Sequence, residues 1–205
     1  MSAVKFKLTK NTKTFCGRTF YQIKAVASFG LVVSGDLGGW VEKENNLSQN
    51  GNAWVSGYAR VFGGAQVHGD ARVFGDAQVY GDARVSGNAR VSGDAQVFGD
   101  SWVYGYARVS GNAWVSGYAR VFGGAQVHGD ARVSGNASVL WVSNVGSENG
   151  TLTAAKTATG IFVSRGCFSG SLAEFEAAVA GTHAGSPIEI EYNTLISFIK
   201  ARLGK

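Results

Sequence analysis

The apolar positions of the chain repeat every six residues over 51–140, where glycine returns from Gly51 to Gly135 without an insertion and fifteen hexads follow the form Gly-x-Ala-x-Val-x, with Ser101 in the Ala place of one. A period of six contains the strand period of two, so the Ala and Val of one hexad point to the same side of a short extended segment. In Gly75-Asp-Ala-Gln-Val-Tyr80 the inward pair is Ala77 and Val79, Gln78 and Tyr80 project outward, and Gly75-Asp76 makes the corner. Glycine tolerates positive φ, and Asp or Asn can bond its own backbone. One of those two follows the glycine in ten of the fifteen hexads; Tyr58, Gly64, Tyr106, Tyr118 and Gly124 are the exceptions.

Three hexads make one turn of a triangular coil, and stacked turns pair as parallel strands, so fifteen hexads predict five turns of a hexapeptide β-helix. Ala suits the narrow axis where three walls converge. Each buried Val contributes about 1.5–3 kcal/mol, partly offset by backbone ordering. The expected domains are an N-terminal β-hairpin cap over 1–32, the solenoid over 33–140, and a C-terminal cap of strands plus two α-helices over 141–205.

The flanks carry other patterns. Ala3, Lys5 and Lys7 alternate with Val4, Phe6 and Leu8, residues 19–27 are rich in Phe, Tyr, Ile and Val, and residues 11–17 supply a turn. This is a hairpin, expected to cover the open end of the coil and its strand edges. Val41 and Leu47 fall in the Ala phase of the hexads, which predicts an irregular first turn over 35–50. Beyond the hexads, 139–147, 151–154 and 160–168 read as three strands. Ser171-Leu-Ala-Glu174 is a capping box opening a helix with Leu172, Phe175 and Val179 on one face. After a break at 183–187, a second helix over 189–203 carries Tyr192, Leu195, Ile196, Ile199 and Leu203 on one stripe. The two helices are expected to seal the far end of the coil.

The stretch Gly35-Asp-Leu-Gly-Gly-Trp-Val41 followed by Asn46-Leu-Ser48, with the hexads and C-terminal module behind it, resembles a group of phage and prophage hexapeptide-repeat proteins. The resemblance implies a phage or prophage origin and no particular activity. General sterics favour right-handed crossovers; coils built on hexapeptides are, by resemblance, left-handed, so a left-handed parallel β-helix is the expected fold.

The 205 residues, 45% hydrophobic with Gly 30 and Pro 1, suit one elongated domain with small caps. A net charge of +5 favours anionic partners and argues against a DNA mimic. No stretch approaches the ~20 apolar residues of a membrane helix, and the polar, strand-like start lacks a secretion signal. These features predict the host cytoplasm, with the virion as alternative, and no membrane. Cys16 and Cys167 cannot form a structural zinc site by themselves and read as buried, reduced thiols. No metal or cofactor is expected.

Residues eighteen apart stack on one wall, about 4.8 Å apart. One wall carries Trp54, Arg72, Arg90, Arg108 and Gln126; a second Arg60, Gln78, Gln96, Trp114 and Arg132; a third Gln66, Arg84, Trp102, Arg120 and Ser138. Consecutive guanidinium groups repel by about 1 kcal/mol even in water. Arg90 and Arg108 follow Asn88 and Tyr106, so they lack the local acid that Asp70 offers Arg72. Arg72, Arg90 and Arg108 therefore form a candidate anion ladder for phosphate, nucleotide or nucleic acid, with aromatic neighbours such as Trp114 for stacking. The competing reading is a solvated wall whose arginines splay apart. A second candidate is the C-terminal polar set Ser143, Asn144, Ser147, Thr151, Thr153, Lys156 and Arg165, whose competing reading is turn chemistry. Cys167 and His183 are the one thiol–imidazole pair to consider, and their spacing does not support it.

Residues 51–73 recur identically at 111–133, a shift of sixty, which is three turns plus one hexad. The copy is rotated by one wall. Trp54 and Trp114, or His68 and His128, therefore cannot share a ladder, which points to the unique ends for specific contacts.

Hexapeptide coils also occur in trimeric acyltransferases, which by resemblance place a catalytic His beside a loop interrupting the coil; this coil is uninterrupted. A Gly-x-x-x-x-Gly-Lys-Ser/Thr cradle and a Gly-x-Ser-x-Gly elbow are absent from the sequence. The reading favoured is a non-catalytic phage or prophage binding protein, homo-oligomeric with a trimer favoured. It would act in anti-defence by sequestering an anionic nucleotide-type ligand or engaging a host defence protein, with nucleic acid less favoured. The alternatives are a spacer or spike of the virion and a hexapeptide-type acyltransferase.

Overall fold

The hexads fold as their period demands. In the computed structural model, which describes residues 4–136 and 139–204, each of the first fourteen hexads contributes a two-residue strand, from Trp54–Val55 to Arg132–Val133. Ala3, Ala137 and Ser138, placed in strands by the sequence pattern, lie outside the described residues. Strands eighteen residues apart pair in parallel, as Arg72↔Arg90 and Val73↔Val91 do. Their backbone bonds run from one turn to the next, for example from Arg72 N to Ala89 O at 2.9 Å. The result is a parallel β-solenoid of about five turns with an antiparallel sheet and two helices at its C-terminal end.

Burial along the axis follows the pattern: Ala77, Val79 and their equivalents are fully buried. Ser101 takes one small inward position, and its hydroxyl donates to Phe98 O at 2.9 Å, so the axis holds no unsatisfied group there. Corners need glycine for two reasons at once. Gly81 has φ +70°, and a Cβ on it would lie 2.8 Å from Gly99 N of the next corner. The Asn and Asp beside them also bond across turns: Asp70 Oδ1 accepts from Asn52 Nδ2 at 2.7 Å, and Asp130 Oδ1 from Asn112 Nδ2 at 3.0 Å.

At the N-terminal end, the hairpin strands Phe6–Phe15 and Arg18–Ala25 pair antiparallel, and Leu37–Val41 continues their sheet into the coil beside Arg60–Val61. Phe6, Ile23 and Ala25 close the apolar axis. The phase of the first turn differs from the sequence reading. Val41 pairs with Val61, and Leu47 bridges to Val67, so both continue the Val column, not the Ala column. Gly39 sits where an Ala would, because a Cβ there would be 2.8 Å from Ala59 O. The two additional residues widen the corner before Ala53. There Gln49 reaches the hairpin, its Oε1 accepting from Lys5 N at 2.9 Å and Phe6 N at 3.2 Å.

The first carbonyls of the three walls each find a different donor. Ala59 O accepts from the Trp40 backbone N–H at 2.9 Å, Ala65 O from the Asn46 side chain at 2.9 Å, and Ala53 O from the Lys5 ammonium at 2.9 Å. Burial pushes the Lys5 pKa down to about 8, with the Asp70 charge opposing. At the same end Glu42 is held below the usual carboxylate range, first by the Gly63 N–H donated to it at 2.6 Å and then by Arg18.

The C-terminal sheet has four strands in sequence order, Val139–Val145, Gly150–Thr157, Gly160–Arg165 and Phe168–Ser171. The stretch 160–168, expected as one strand, is broken by a turn at Gly166 (φ +59°) and Cys167. The sheet itself, and not the helices, seals the coil. Val139 and Ala155 join the coil core, Thr153 Oγ1 accepts from Gln126 N at 2.8 Å, and Ser164 Oγ donates to Gln126 O at 2.5 Å. The last turn leaves backbone groups without a following turn, and the Thr and Ser hydroxyls satisfy them. Helices α1 (Leu172–His183) and α2 (Pro187–Leu203) cover the other side of the sheet, packing Phe175, Val179, Tyr192, Ile196 and Ile199 on Leu152, Ala154 and Val163. Helix α2 begins earlier than its stripe suggested because Pro187 occupies its first turn behind the Ser186 cap.

The cysteines correct the sequence reading. Cys16 and Cys167 are both exposed, because each lies in a tight turn between antiparallel strands and is excluded from the core. Among the described residues, no helix is long and apolar enough to cross a membrane.

Candidate anion-binding wall

Stacking brings Arg72, Arg90 and Arg108 into register on adjacent parallel strands. What distinguishes them is the lack of any compensating partner. On the other two walls arginines lie on rings: Arg60 is 4.2 Å from the Phe15 centroid, Arg132 is 3.8 Å from Trp114, and Arg84 and Arg120 flank Trp102 at 5.1 and 5.3 Å. Arg18 pairs with Glu42 at 2.8 Å. Among the described residues, Arg72, Arg90 and Arg108 have no acid within ion-pair distance and no ring beneath them. The acid expected to serve Arg72 is engaged elsewhere, since Asp70 Oδ1 accepts from both Asn52 N and Nδ2.

The Trp of this wall is closed. Trp54 is only 7% exposed, and the Phe29 ring meets it edge-on at 5.4 Å. Phe29 arrives on a segment between hairpin and coil, which turns back on itself through backbone bonds from Phe29 N to Val32 O at 3.0 Å and from Val32 N to Phe29 O at 2.8 Å. The overhang and the wall enclose a groove of 440 Å³ whose lining includes Leu31, Asp36, Leu37, Trp54, Arg72, Phe74 and Arg90. Leu31, Leu37 and Phe74 are exposed apolar groups there, at 80%, 60% and 38%. The arrangement can hold an anion against two guanidiniums and an apolar group beside it; nothing in it resembles a nucleophile with its base.

The other expected site residues do not converge on this groove. Trp114 belongs to a different wall, under Arg132, and is not free to stack beside the ladder. Ser143 shares a hydrogen bond of 3.1 Å with Thr151. Asn144 has φ +61° at a strand irregularity, and Ser147 is exposed in the following turn. Arg165 Nη2 donates to Val145 O at 2.6 Å, tying that turn down. His183 packs against Tyr192 at 5.6 Å within the helical cap, whereas Cys167 occupies its exposed turn. His128 ends the outer column that contains Phe74, and burial lowers its pKa. Among the described residues no group of three or more His, Cys, Asp or Glu could hold a metal.

The sequence reading missed Leu31, Leu37 and Phe74. The available signal was the apolar run Leu31-Val32-Val33 outside any hexad, which no strand or helix period explains.

The family model described as the YdcK β-solenoid repeat matches residues 65–81 and 77–92. These lie within the hexads, so the similarity supports a β-solenoid repeat protein. No curated protein matches the chain.

Proposed function

We propose that the protein is a non-catalytic binding module that captures an anionic, nucleotide-type ligand on the wall carrying Arg72, Arg90 and Arg108. The observation that carries this reading is the row of three stacked guanidiniums without acid or ring partners, in a coil whose other wall arginines lie on aromatic rings. Like charges held one strand spacing apart repel, and a bound anion turns that repulsion into attraction.

The resemblance of the 35–48 segment and the C-terminal module to phage and prophage hexapeptide-repeat proteins supports an anti-defence role in the host cytoplasm. There the ligand would be a host nucleotide, withheld by a homo-oligomer, a trimer being favoured by the flat walls. Calorimetry against mononucleotides and linear and cyclic dinucleotides tests the proposal. Salt-sensitive binding that is lost in Arg90→Glu is expected; no heat from any of them overturns it.

A further inference from the structure

We infer that the ligand site is the groove at the N-terminal end of the ladder, and that it takes an organic phosphate of mononucleotide size, with its ester carrying an aromatic or apolar group. This rests on the anion-binding reading above and narrows it to Arg72 and Arg90, because Arg108 lies outside the groove lining.

The groove carries charge of both signs. Arg72 and Arg90 stand on consecutive strands of the wall, whereas Asp36 comes from the overhanging segment, its Oδ2 accepting from Val33 N at 2.8 Å. A phosphate is attracted to the guanidiniums and repelled by the carboxylate. A carboxylate ligand is satisfied by one guanidinium fork, whereas two forks about 4.8 Å apart suit the several oxygens of a phosphate. Beside them, Phe74, Leu31 and Leu37 present apolar surface to the groove, and inorganic phosphate would leave that surface wet. Asp36, which also lines the groove, can accept from a hydroxyl or amino group, which nucleosides carry. The volume of 440 Å³ lies within the roughly 300–1,000 Å³ of small-molecule sites. The overhang is held in place before any ligand arrives, since Phe29 is packed on Trp54 and Gly30, with φ +52°, turns the segment tightly over Asn52.

Calorimetry with the full chain tests this, using the four ribonucleoside monophosphates, inorganic phosphate and adenosine as probes. At least one nucleotide should bind about tenfold or more tightly than phosphate or adenosine. Arg90→Ala should weaken that nucleotide about tenfold, and Phe74→Ser should weaken it by a similar factor without changing phosphate binding, whereas Arg108→Ala should stay within about twofold. Phe74→Leu, which keeps an apolar side chain, should retain most of the affinity, and a thermal melt of each variant confirms its fold. If Arg108→Ala costs as much as Arg90→Ala, or phosphate binds as well as any nucleotide, the groove assignment fails while the ladder reading survives. Silence from every probe, including the dinucleotides used above, removes both.

Discussion

Residues 51–73 and 111–133 are identical in sequence, yet they occupy different surroundings, and the contrast separates what the repeat fixes from what its neighbours decide. Both copies place Ala and Val on the axis, fully buried, and both link their corner Asn and Asp across turns. Outside the axis they diverge. Trp114 is 36% exposed and carries Arg132 on its face, whereas Trp54 is shut under Phe29 and its partner Arg72 is left free in the groove. Arg60 lies on Phe15 of the hairpin, and its counterpart Arg120 on Trp102 of the preceding turn. Ala113 O accepts from the Gln96 backbone N–H at 2.9 Å, but Ala53 O, with no regular turn before it on that wall, accepts from Lys5. One sequence thus supplies a self-satisfied wall toward the C-terminal end of the coil and an open cationic groove near its N-terminal end.

The strongest challenge to the equivalence of the two axes is charge insertion. Val61→Asp and Val121→Asp bury a carboxylate without a partner and should each cost about 4 kcal/mol or more. Urea unfolding measures both, and a large difference between them would show that the axis is not uniform. Next in size, Phe29→Ala should cost about 2 kcal/mol, because the partly buried ring packs against Trp54 and the coil end. It should also make Trp54 readily quenched by acrylamide and let Arg72 settle on the indole, so that the first copy comes to resemble the second.

Lys5 probes the end itself. Its folded pKa of about 8 lies below the ordinary lysine value of 10.5, so between these two values the unfolded chain binds more protons than the folded one. Stability from this group therefore rises as the pH climbs through that interval and is independent of pH below it. Lys5→Met should cost about 1 kcal/mol at neutral pH through the lost carbonyl caps and should flatten the alkaline rise in the thermal midpoint. The smallest effect is the most discriminating one. A double-mutant cycle on Trp114 and Arg132 should give a coupling of about 0.5–1 kcal/mol, while the same cycle on Trp54 and Arg72 should give almost none.

Much of the candidate site is legible in the sequence. The eighteen-residue spacing put Arg72, Arg90 and Arg108 on one wall, and the sixty-residue shift put Trp54 and Trp114 on different walls, because both follow from counting hexads. The phase of Val41 and Leu47 is not legible there, since the widened corner at residues 48–52 has no period of its own. The C-terminal polar set looked like a site because Ser, Asn and Arg cluster in sequence. In the folded chain Ser143 and Arg165 turn to opposite sides of one sheet, where alternation sends Ser143 toward Thr151 and Arg165 toward Val145 O.

The sequence by itself determined the coil, its number of turns and the inward columns, because a six-residue repeat with glycine corners leaves one economical way to bury Ala and Val. Only the tertiary structure decided which arginines are satisfied and which are open. That outcome depends on Phe29, Phe15 and Lys5 reaching walls that are distant in the chain, and contacts between such distant segments carry no periodic signature.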